Sequence, residues 1–445
     1  MLNEQPWIVY ANDLYHEWKH AFDEGKEVEQ FQEECNNVAN LPKDDPNRDA
    51  LADKLFNKLH GAPVKNSFTF VEPSDLPEIQ LERPTLRPKI QFDISKNALN
   101  EKVYGAWLGR IAGCLLGKPV EGYHIERLYK LLKATDNYPL KKYIAYDVPE
   151  NLKNEIQMWE KAAWIDLIDG KAPVDDDTNY TVLGLKIIEN YGKNFTPADV
   201  AEAWLSWVPL LATCTAERVA YKNLAQGLQP PASATYKNPF REWIGAQIRA
   251  DFFGYVNPGN PELAADMAWR DASISHVKNG IYGEMFVAAM LAAAAVSDDI
   301  MTVLQAGLGE IPNNCRLTEK VNLMISWFES GVSQADAMRK IHEIYNEKEG
   351  HDWCHTISNA MIVVFGLLYG NKDFGHSICI SVEAGFDTDC NGATVGSIIG
   401  MMIGAKNIPS YWTQPFNNLL LTTVEGYNLA DISMLTEKTL ELIEK

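Results

Sequence analysis

Two acidic clusters, more than two hundred residues apart in the chain, contain the side chains best suited to chemistry. The first is Val-Asp-Asp-Asp-Thr at positions 174–178, and the second is Gly-Phe-Asp-Thr-Asp-Cys-Asn-Gly at positions 385–392. Each cluster runs directly into an apolar segment of helical character. Carboxylates this close together repel one another unless a cation or water screens them. If the fold brings the clusters together, they predict a site for more than one hard divalent cation.

Simpler roles for each cluster remain open from the residues alone. In the first, one aspartate can cap the following helix and a second can favour its dipole, but a third has no such role. The second matches the first half of a calcium-binding loop, including its glycine. That loop needs a bidentate glutamate six residues after the glycine, where this chain has Ile398. Ligation by oxygen favours Mg²⁺, Mn²⁺ or Ca²⁺ over zinc or copper.

The composition of the 445 residues, 46% hydrophobic and 22% charged, is typical of a soluble globular protein with a large core. A net charge of -20 argues against a nucleic-acid-binding surface. The seven scattered cysteines indicate reduced thiols, and the first residues lack the pattern of a signal peptide. The most apolar stretch, residues 285–296, is too short to span a bilayer. We therefore expect a cytoplasmic protein without a membrane partner, whose oligomeric state the sequence leaves undetermined.

The chain divides into an extension and a long helical region. Residues 1–95 form the predicted N-terminal extension, helical at first and then a proline-rich connector over residues 61–92. Ser95 is a candidate N-cap for the next helix. Residues 96–445 form the predicted catalytic domain, which is helical without convincing strand alternation. A proline-interrupted insertion is expected at about 227–261, with a short helical piece around 242–250.

Glycines at a four-residue spacing mark two of the predicted helices. This spacing places them on one helix face, where a second backbone can approach closely. Because glycine costs about 1 kcal/mol against alanine in a helix interior, two such stripes predict tight helix packing. The stripes consist of Gly105, Gly109, Gly113 and Gly117 in the first helix, and of Gly392, Gly396 and Gly400 in the second.

Four segments, in order along roughly residues 100–440, resemble motifs of the ADP-ribosylglycohydrolase family, which includes the dinitrogenase-reductase-activating glycohydrolases. They are the glycine-striped helix with Pro-Val-Glu-Gly at 119–122, Asp-Asp-Thr at 176–178, Asp-Ala-Ser-Ile-Ser-His at 271–276, and the Gly-x-Asp-Thr-Asp segment that begins at 385. The resemblance implies an all-α orthogonal bundle around a dinuclear magnesium site. It also implies hydrolysis of the bond between C1″ of ADP-ribose and a protein side chain or related group.

The same resemblance implies roles for individual residues. Glu121 would be the carboxylate on the substrate side, and one of the aspartates would double as general base. The predicted catalytic residues are Glu121, Asp176 and Asp389. The implied ligands of two Mg²⁺ ions, with Mn²⁺ as an alternative, are Asp175, Asp176, Asp177, Asp387, Asp389 and Cys390. The predicted substrate-binding residues are His276, Asn279, Tyr282, Gly245, Arg249, His355 and Asn359. A core histidine and a structural ion pair remain alternatives for His276 and Arg249.

Three positions depart from the pattern of the family. Its members generally have Thr or Ser where Asp175 and Cys390 stand, and often Asp at the position of Cys114. Asp175 adds negative charge, whereas Cys390 replaces a hard oxygen with sulfur, a poor magnesium ligand. Two functions therefore stay open: a metal-dependent hydrolase of small-molecule or protein-linked ADP-ribose, and a non-catalytic ADP-ribose-binding or structural protein. A calcium-stabilised scaffold is a third, which Ile398 disfavours.

Overall fold

The computed structural model describes residues 5–90, 92–161 and 163–445. The first four residues of the predicted extension, together with residues 91 and 162, lie outside the described residues. The described residues form twenty-three α-helices and one short antiparallel sheet, so the all-α prediction is confirmed. The elements are α1 (Leu14–Asp23), α2 (Gln32–Ala39), α3 (Arg48–His60), α4 (Leu76–Glu82), α5 (Lys96–Gly117), α6 (Ile125–Ala134), α7 (Glu150–Glu155), α8 (Asp176–Tyr191), α9 (Pro197–Trp207), α10 (Thr215–Ala225), α11 (Ala232–Thr235), α12 (Asp251–Tyr255), α13 (Pro261–Ala272), α14 (Lys278–Ala294), α15 (Ile300–Leu308), α16 (Arg316–Glu329), α17 (Gln334–Ile344), α18 (Gly350–Cys354), α19 (Thr356–Tyr369), α20 (Phe374–Glu383), α21 (Thr388–Ile403), α22 (Ser410–Thr413), β1 (Leu419–Leu421), β2 (Leu429–Asp431) and α23 (Ile432–Glu444).

The two glycine-striped helices, α5 and α21, pack antiparallel with their backbones in contact. A Cβ atom added to Gly113 would lie only 1.9 Å from the carbonyl oxygen of Gly392, so no side chain fits there. The facing pairs are Gly105 with Gly400, Gly109 with Gly396, Gly113 with Gly392, and Gly117 with Thr388. The predicted tight packing is confirmed. As a result, the last turn of α5 and the first turn of α21 lie side by side.

The ends of α5 are secured by two hydroxyl groups. Ser95 caps its N-terminus, as predicted, by accepting a hydrogen bond of 3.3 Å from the backbone N–H of Ala98. At the other end, Thr388 Oγ1 donates to the carbonyl oxygen of Gly117 over 2.9 Å. Because this bond joins the second acidic cluster to the C-terminus of α5, whatever follows Gly117 must lie beside that cluster.

Helix α14 forms the centre of the core. Its residues from Asn279 onward are buried, and it packs against α12, α13, α15, α16, α19 and α21. No helix in residues 5–90, 92–161 or 163–445 combines the length and the apolar character needed to cross a membrane. The apolar stretch at 285–296 is therefore core, because it is surrounded by other helices.

The N-terminal extension has a hydrophobic cluster of its own, built by α1, α2 and α3 around residues such as Leu14 and Leu55. It contacts the rest of the chain through ion pairs whose carboxylates are buried. The carboxylate of Glu17 lies 2.9 Å from a nitrogen of Arg241, and that of Glu24 lies 2.7 Å from the nitrogen of Lys278. Division of the chain at residue 95 stays a prediction, because these polar contacts join the two parts closely.

The segment at 227–261 is more buried than a surface insertion. Every residue from 238 to 257 is buried. It contains α11, a 3₁₀ turn at Gln247–Arg249 and α12, so the predicted helical piece around 242–250 is confined to its last residues. The two three-residue strands β1 and β2 were not indicated by the sequence, because strands this short show no readable alternation.

Candidate metal centre and adjoining cavity

The first acidic cluster forms the N-terminus of α8. Asp175 is the N-cap, and its Oδ1 accepts a 2.8 Å hydrogen bond from the backbone N–H of Asp177. The guanidinium of Arg110 in α5 donates to Asp177 Oδ1 at 3.0 Å and lies 2.9 Å from a carboxylate oxygen of Asp251. Arg110 is completely buried, so this pairing attaches the first cluster firmly to α5.

The second acidic cluster is held by Asn359, one of the predicted substrate-binding residues. Its Oδ1 accepts hydrogen bonds from the backbone N–H of Asp387 at 3.1 Å and from Asn391 Nδ2 at 2.8 Å. The Cys354 thiol lies 3.7 Å from Asp387 Oδ2. Asn359 thus contacts the backbone of the cluster and positions its carboxylates, whereas its contact with substrate stays a prediction.

The two clusters meet and create two groups of potential metal ligands. In the first triad, Asp175, Asp177 and Asp389 bring one carboxylate oxygen each to within 4.8 Å of one another. In the second triad, Asp387, Asp389 and Cys390 do the same with two oxygens and a sulfur. Asp389 belongs to both triads, and all five residues are buried. Residues that are far apart in sequence therefore form one site.

The chemistry of these donors fits a divalent cation. Asp177 Oδ2 and Asp389 Oδ1 are buried and have no hydrogen-bond partner. An unpartnered buried carboxylate oxygen is costly in a folded protein, and a hard cation removes that cost by binding it. The oxygens of Asp177 and Asp389 therefore suit Mg²⁺ or Mn²⁺, while the sulfur of Cys390 weakens the fit of the second triad to Mg²⁺.

Crowding of carboxylates changes their protonation. Burial, and then the neighbouring carboxylate of Asp175, raises the pKa of Asp176 to about 7. The carboxylate of Asp389, followed by burial, raises the pKa of Glu121 to about 8. Burial raises the pKa of Asp387 and of the Cys390 thiol well above their ordinary values. Negative charge is therefore in excess at the site, as expected for residues that share a cation.

Sequence reasoning missed two basic residues at the site, Arg110 and Lys118. Lys118 pairs through Nζ with Asp175 Oδ2. Burial raises the pKa of Asp175, but the Lys118 ammonium outweighs it and holds that pKa below its usual value. A signal for Lys118 was available, because it directly follows the last glycine of the first stripe and precedes Glu121 by three residues.

A cavity of about 410 Å³ opens beside the first triad. This volume lies within the range of roughly 300–1,000 Å³ that is typical of small-molecule sites. Asp176, which belongs to neither triad, is partly exposed in its wall. The cavity is lined by Lys118, Val174, Asp175, Asp176, Asn179, Pro209, Leu211, Ala212, Cys214 and Thr423. The cavity therefore gives access to residues of the first cluster, and no residue of the second cluster lines it.

Three predicted substrate-binding residues surround Glu217 instead of lining this cavity. Arg249 is buried and forms ion pairs with Asp271 and, at 2.7 Å, with Glu217. Gly245 is in tight contact with the same glutamate, since a Cβ there would lie 2.0 Å from its Oε1. His276 is buried with Nδ1 2.8 Å from Ser275 Oγ. Arg249 thus forms a structural ion pair, which was the alternative to substrate binding that the sequence left open. Substrate binding by these three residues stays a prediction.

The remaining predicted substrate-binding residues lie near Glu242, where the extension covers the helical region. Asn279 donates to Glu242 Oε1 at 2.9 Å, and Nε2 of His355 lies 3.9 Å from the same carboxylate. The hydroxyl of Tyr282 donates to the carbonyl oxygen of Pro73 in the connector. None of these three residues lines the 410 Å³ cavity, so their predicted roles require access from another side.

Together, the fold and the site define an all-α protein with a buried, carboxylate-rich candidate metal centre. The chain belongs to the ADP-ribosylglycohydrolase family, whose model matches residues 95–443, which confirms the resemblance. It is 25% identical to an uncharacterised protein of Archaeoglobus fulgidus over 329 residues, or 71% of this chain and 92% of that protein. A solved ADP-ribosylglycohydrolase-related protein complex is similar at 18% identity and a TM-score of 0.47, covering 78% of this chain and 99% of that chain.

Proposed function

We propose that this chain is a metal-dependent hydrolase that cleaves the C1″ glycosidic linkage of ADP-ribose or of a related ribosyl group. Membership of the family supports the reaction class. The single observation that carries the proposal is the position of Asp389, which is shared by both triads and brings an oxygen to within 4.8 Å of one of Asp175, a residue that lines a cavity of small-molecule size. The proposed ion is Mg²⁺, with Mn²⁺ as the alternative, and the family resemblance implies two such ions.

The proposed roles follow from where each side chain lies. A bound cation would be held by the aspartates of the two triads and would supply Lewis-acid chemistry next to the ribose. Asp176 lines the cavity and would act as general base by taking a proton from the attacking water. Glu121, whose pKa is raised mainly by the carboxylate of Asp389, is the proposed substrate-side carboxylate, which stabilises the oxocarbenium-like transition state or protonates the leaving group.

The proposed substrate is a small-molecule or protein-linked ADP-ribose. The cavity volume of about 410 Å³ accommodates a ribosyl group with part of its attached groups. Its wall combines the Lys118 ammonium with the apolar side chains of Leu211 and Ala212, which suits a ligand with both anionic and apolar parts. The net charge of -20 still disfavours nucleic acid, and a cytoplasmic location remains a prediction.

A substrate panel tests this proposal. The full chain is incubated with ADP-ribose linked to arginine, serine, an acetyl ester or a nucleic-acid base, in EDTA, Mg²⁺ or Mn²⁺, and free ADP-ribose is measured. We expect release that requires metal and is lost in Asp387→Ala. Asp336→Ala, which changes an exposed aspartate at the start of α17, is the control and should behave like the wild type.

The alternative function predicts a different pair of results. If no member of the panel is cleaved with either metal, while ADP-ribose still raises the thermal midpoint of unfolding, the chain is a non-catalytic binder. Cys390 favours this alternative, because its buried thiol is a weak ligand for Mg²⁺. Metal-independent release would also contradict the proposal.

Cys390→Ser is expected to shift the metal preference towards Mg²⁺. The substitution puts a hard oxygen at nearly the same position as the sulfur, so the affinity for Mg²⁺ should rise. We expect a rise of about tenfold, which is the lower end of the changes in metal affinity caused by substitutions around a metal site. Calorimetric titration with Mg²⁺ and Mn²⁺ measures both affinities. Cys379→Ser, another buried cysteine outside the triads, is the matched control. Unchanged Mg²⁺ affinity would show that residue 390 does not contact the ion.

A further inference from the structure

Lys118 places a positive charge inside the first triad. It lies in the 3₁₀ turn that directly follows α5, and its Nζ pairs with Asp175 Oδ2. Its side chain is 22% exposed, whereas that of Asp175 is fully buried. The ammonium of Lys118 is therefore in direct contact with one of the three carboxylates of the first triad.

Protein donors already use both oxygens of Asp175 and one oxygen of Asp177 in the first triad. Asp175 Oδ1 accepts from a backbone N–H of α8, and Asp175 Oδ2 accepts from Lys118. Asp177 Oδ1 accepts from Arg110, which leaves its Oδ2 without a partner. Asp175 therefore has no oxygen that is free of a protein donor, and a metal ion there would compete with the Lys118 ammonium for Oδ2.

The second triad has no such internal cation. Among the described residues, the ion pairs at the two triads are made by Asp175 and Asp177, and no Lys, Arg or His nitrogen lies within 4.0 Å of Asp387 or Asp389. Asp175 and Asp177 of the first triad thus each pair with a basic side chain, while Asp387 and the shared Asp389 pair with none in the described part of the chain. A divalent ion is attracted most strongly where negative charge is not already compensated.

We propose that the ammonium of Lys118 takes the place of one divalent ion, so that the chain binds a single ion, at Asp387, Asp389 and Cys390. This inference rests on the proposed function and changes the ion count from the two that the family resemblance implies. A fixed ammonium and a divalent ion cannot share the buried first triad, because their mutual repulsion is weakly screened there. Lys118 then supplies a permanent positive charge at the mouth of the cavity.

Counting bound ions tests the inference. The full chain is stripped with EDTA and equilibrated with Mn²⁺, and bound metal per chain is measured by elemental analysis and by electron paramagnetic resonance of free Mn²⁺. The wild type should bind one ion, and Lys118→Met should bind two, with the spectrum of a coupled pair. Lys102→Met is the matched control: it lies in α5, pairs with Asp298 at 3.0 Å and is 15% exposed, and it should bind one ion.

The outcomes separate this inference from the proposed activity. Two ions in the wild type, none in the wild type, or one in Lys118→Met would each overturn it. If Lys118→Met folds poorly, Lys118→Gln replaces it in the test, because it removes the charge but keeps a polar side chain. Lys118→Gln should also bind two ions. One ion without cleavage of any substrate supports the inference and removes the proposed activity. Two ions together with cleavage would overturn the inference and support the proposed activity. A change in KM alone, with an unchanged ion count, would show that Lys118 binds substrate instead.

Discussion

Asp389→Asn is expected to abolish divalent-cation binding and metal-dependent hydrolysis while making the metal-free protein more stable. Asp389 contributes to both triads, so its loss damages every ligand set at the site. Replacing a partner outside the ligand shell of a metal typically costs 10–100-fold in affinity or activity, so loss of a shared ligand should cost at least about 100-fold. Asparagine keeps the shape of the side chain, which limits the change to charge.

The gain in metal-free stability has a separate cause. Burial, and then the charge of Asp175, raises the pKa of Asp389, which shows that its ionised form is disfavoured without a cation. Neutral asparagine removes that repulsion, and the free energy of unfolding in EDTA should rise by about 1 kcal/mol or more, because two like charges about 4 Å apart repel by roughly 1–4 kcal/mol at effective dielectric constants between about 80 and 20. Thermal unfolding with EDTA and with Mn²⁺ measures both effects. Asp336→Asn serves as the exposed control, and stabilisation by Mn²⁺ equal to that of the wild type would contradict the ligand role.

Gly113→Ala is expected to reduce the free energy of unfolding by about 2 kcal/mol and to weaken metal binding. In an isolated helix the change would add about 1 kcal/mol of stability. Here the new Cβ would lie 1.9 Å from the Gly392 carbonyl oxygen, so the two backbones must separate. Overpacking of this kind costs about 3 kcal/mol, at the upper end of its usual range. Because this cost exceeds the gain in helix propensity, the net effect on the free energy of unfolding is destabilising. Separation of α5 from α21 also moves the first turn of α21, which carries Asp389.

Urea unfolding of Gly113→Ala beside Gly350→Ala checks this expectation. A Cβ at Gly350 would lie 3.4 Å from the nearest atom, an ordinary contact with His16, so this control should stay within about 0.5 kcal/mol of the wild type. Equal stability of the two variants would mean that α5 and α21 can move apart at no cost. The backbone contact would then not set the geometry of the site.

Local patterns in the sequence predicted the parts of the fold that depend on local physics. Ser95 could be identified as an N-cap from its position alone, and the glycine spacing predicted a close helix contact. The spacing did not reveal that α5 and α21 pair with each other, because each glycine stripe could pack equally well against any helix with small residues on its surface. The depth of the segment at 238–257 also escaped prediction, since prolines and glycines suggest a surface loop unless neighbouring helices cover it.

In the candidate site, too, the sequence predicted the local motifs but not the contacts between distant residues. The resemblance of the acidic clusters to a family was readable in order along the chain, and the structure places them together. The pairing of Lys118 with Asp175, and of Arg110 with Asp177, joins residues at least 57 positions apart. Such pairs depend on how α5 crosses α8, which no periodicity within either helix specifies. The structure was therefore needed to show which charges of the site are already compensated.

The ion pairs between the extension and the helical region make the charge balance of one part depend on the other. Arg241 and Lys278 are basic residues of the family-matching region, yet their carboxylate partners, Glu17 and Glu24, belong to the extension. Without those partners a buried guanidinium such as that of Arg241 would be strongly destabilising. The helical region of this chain therefore carries a buried charge that only the presence of its extension compensates.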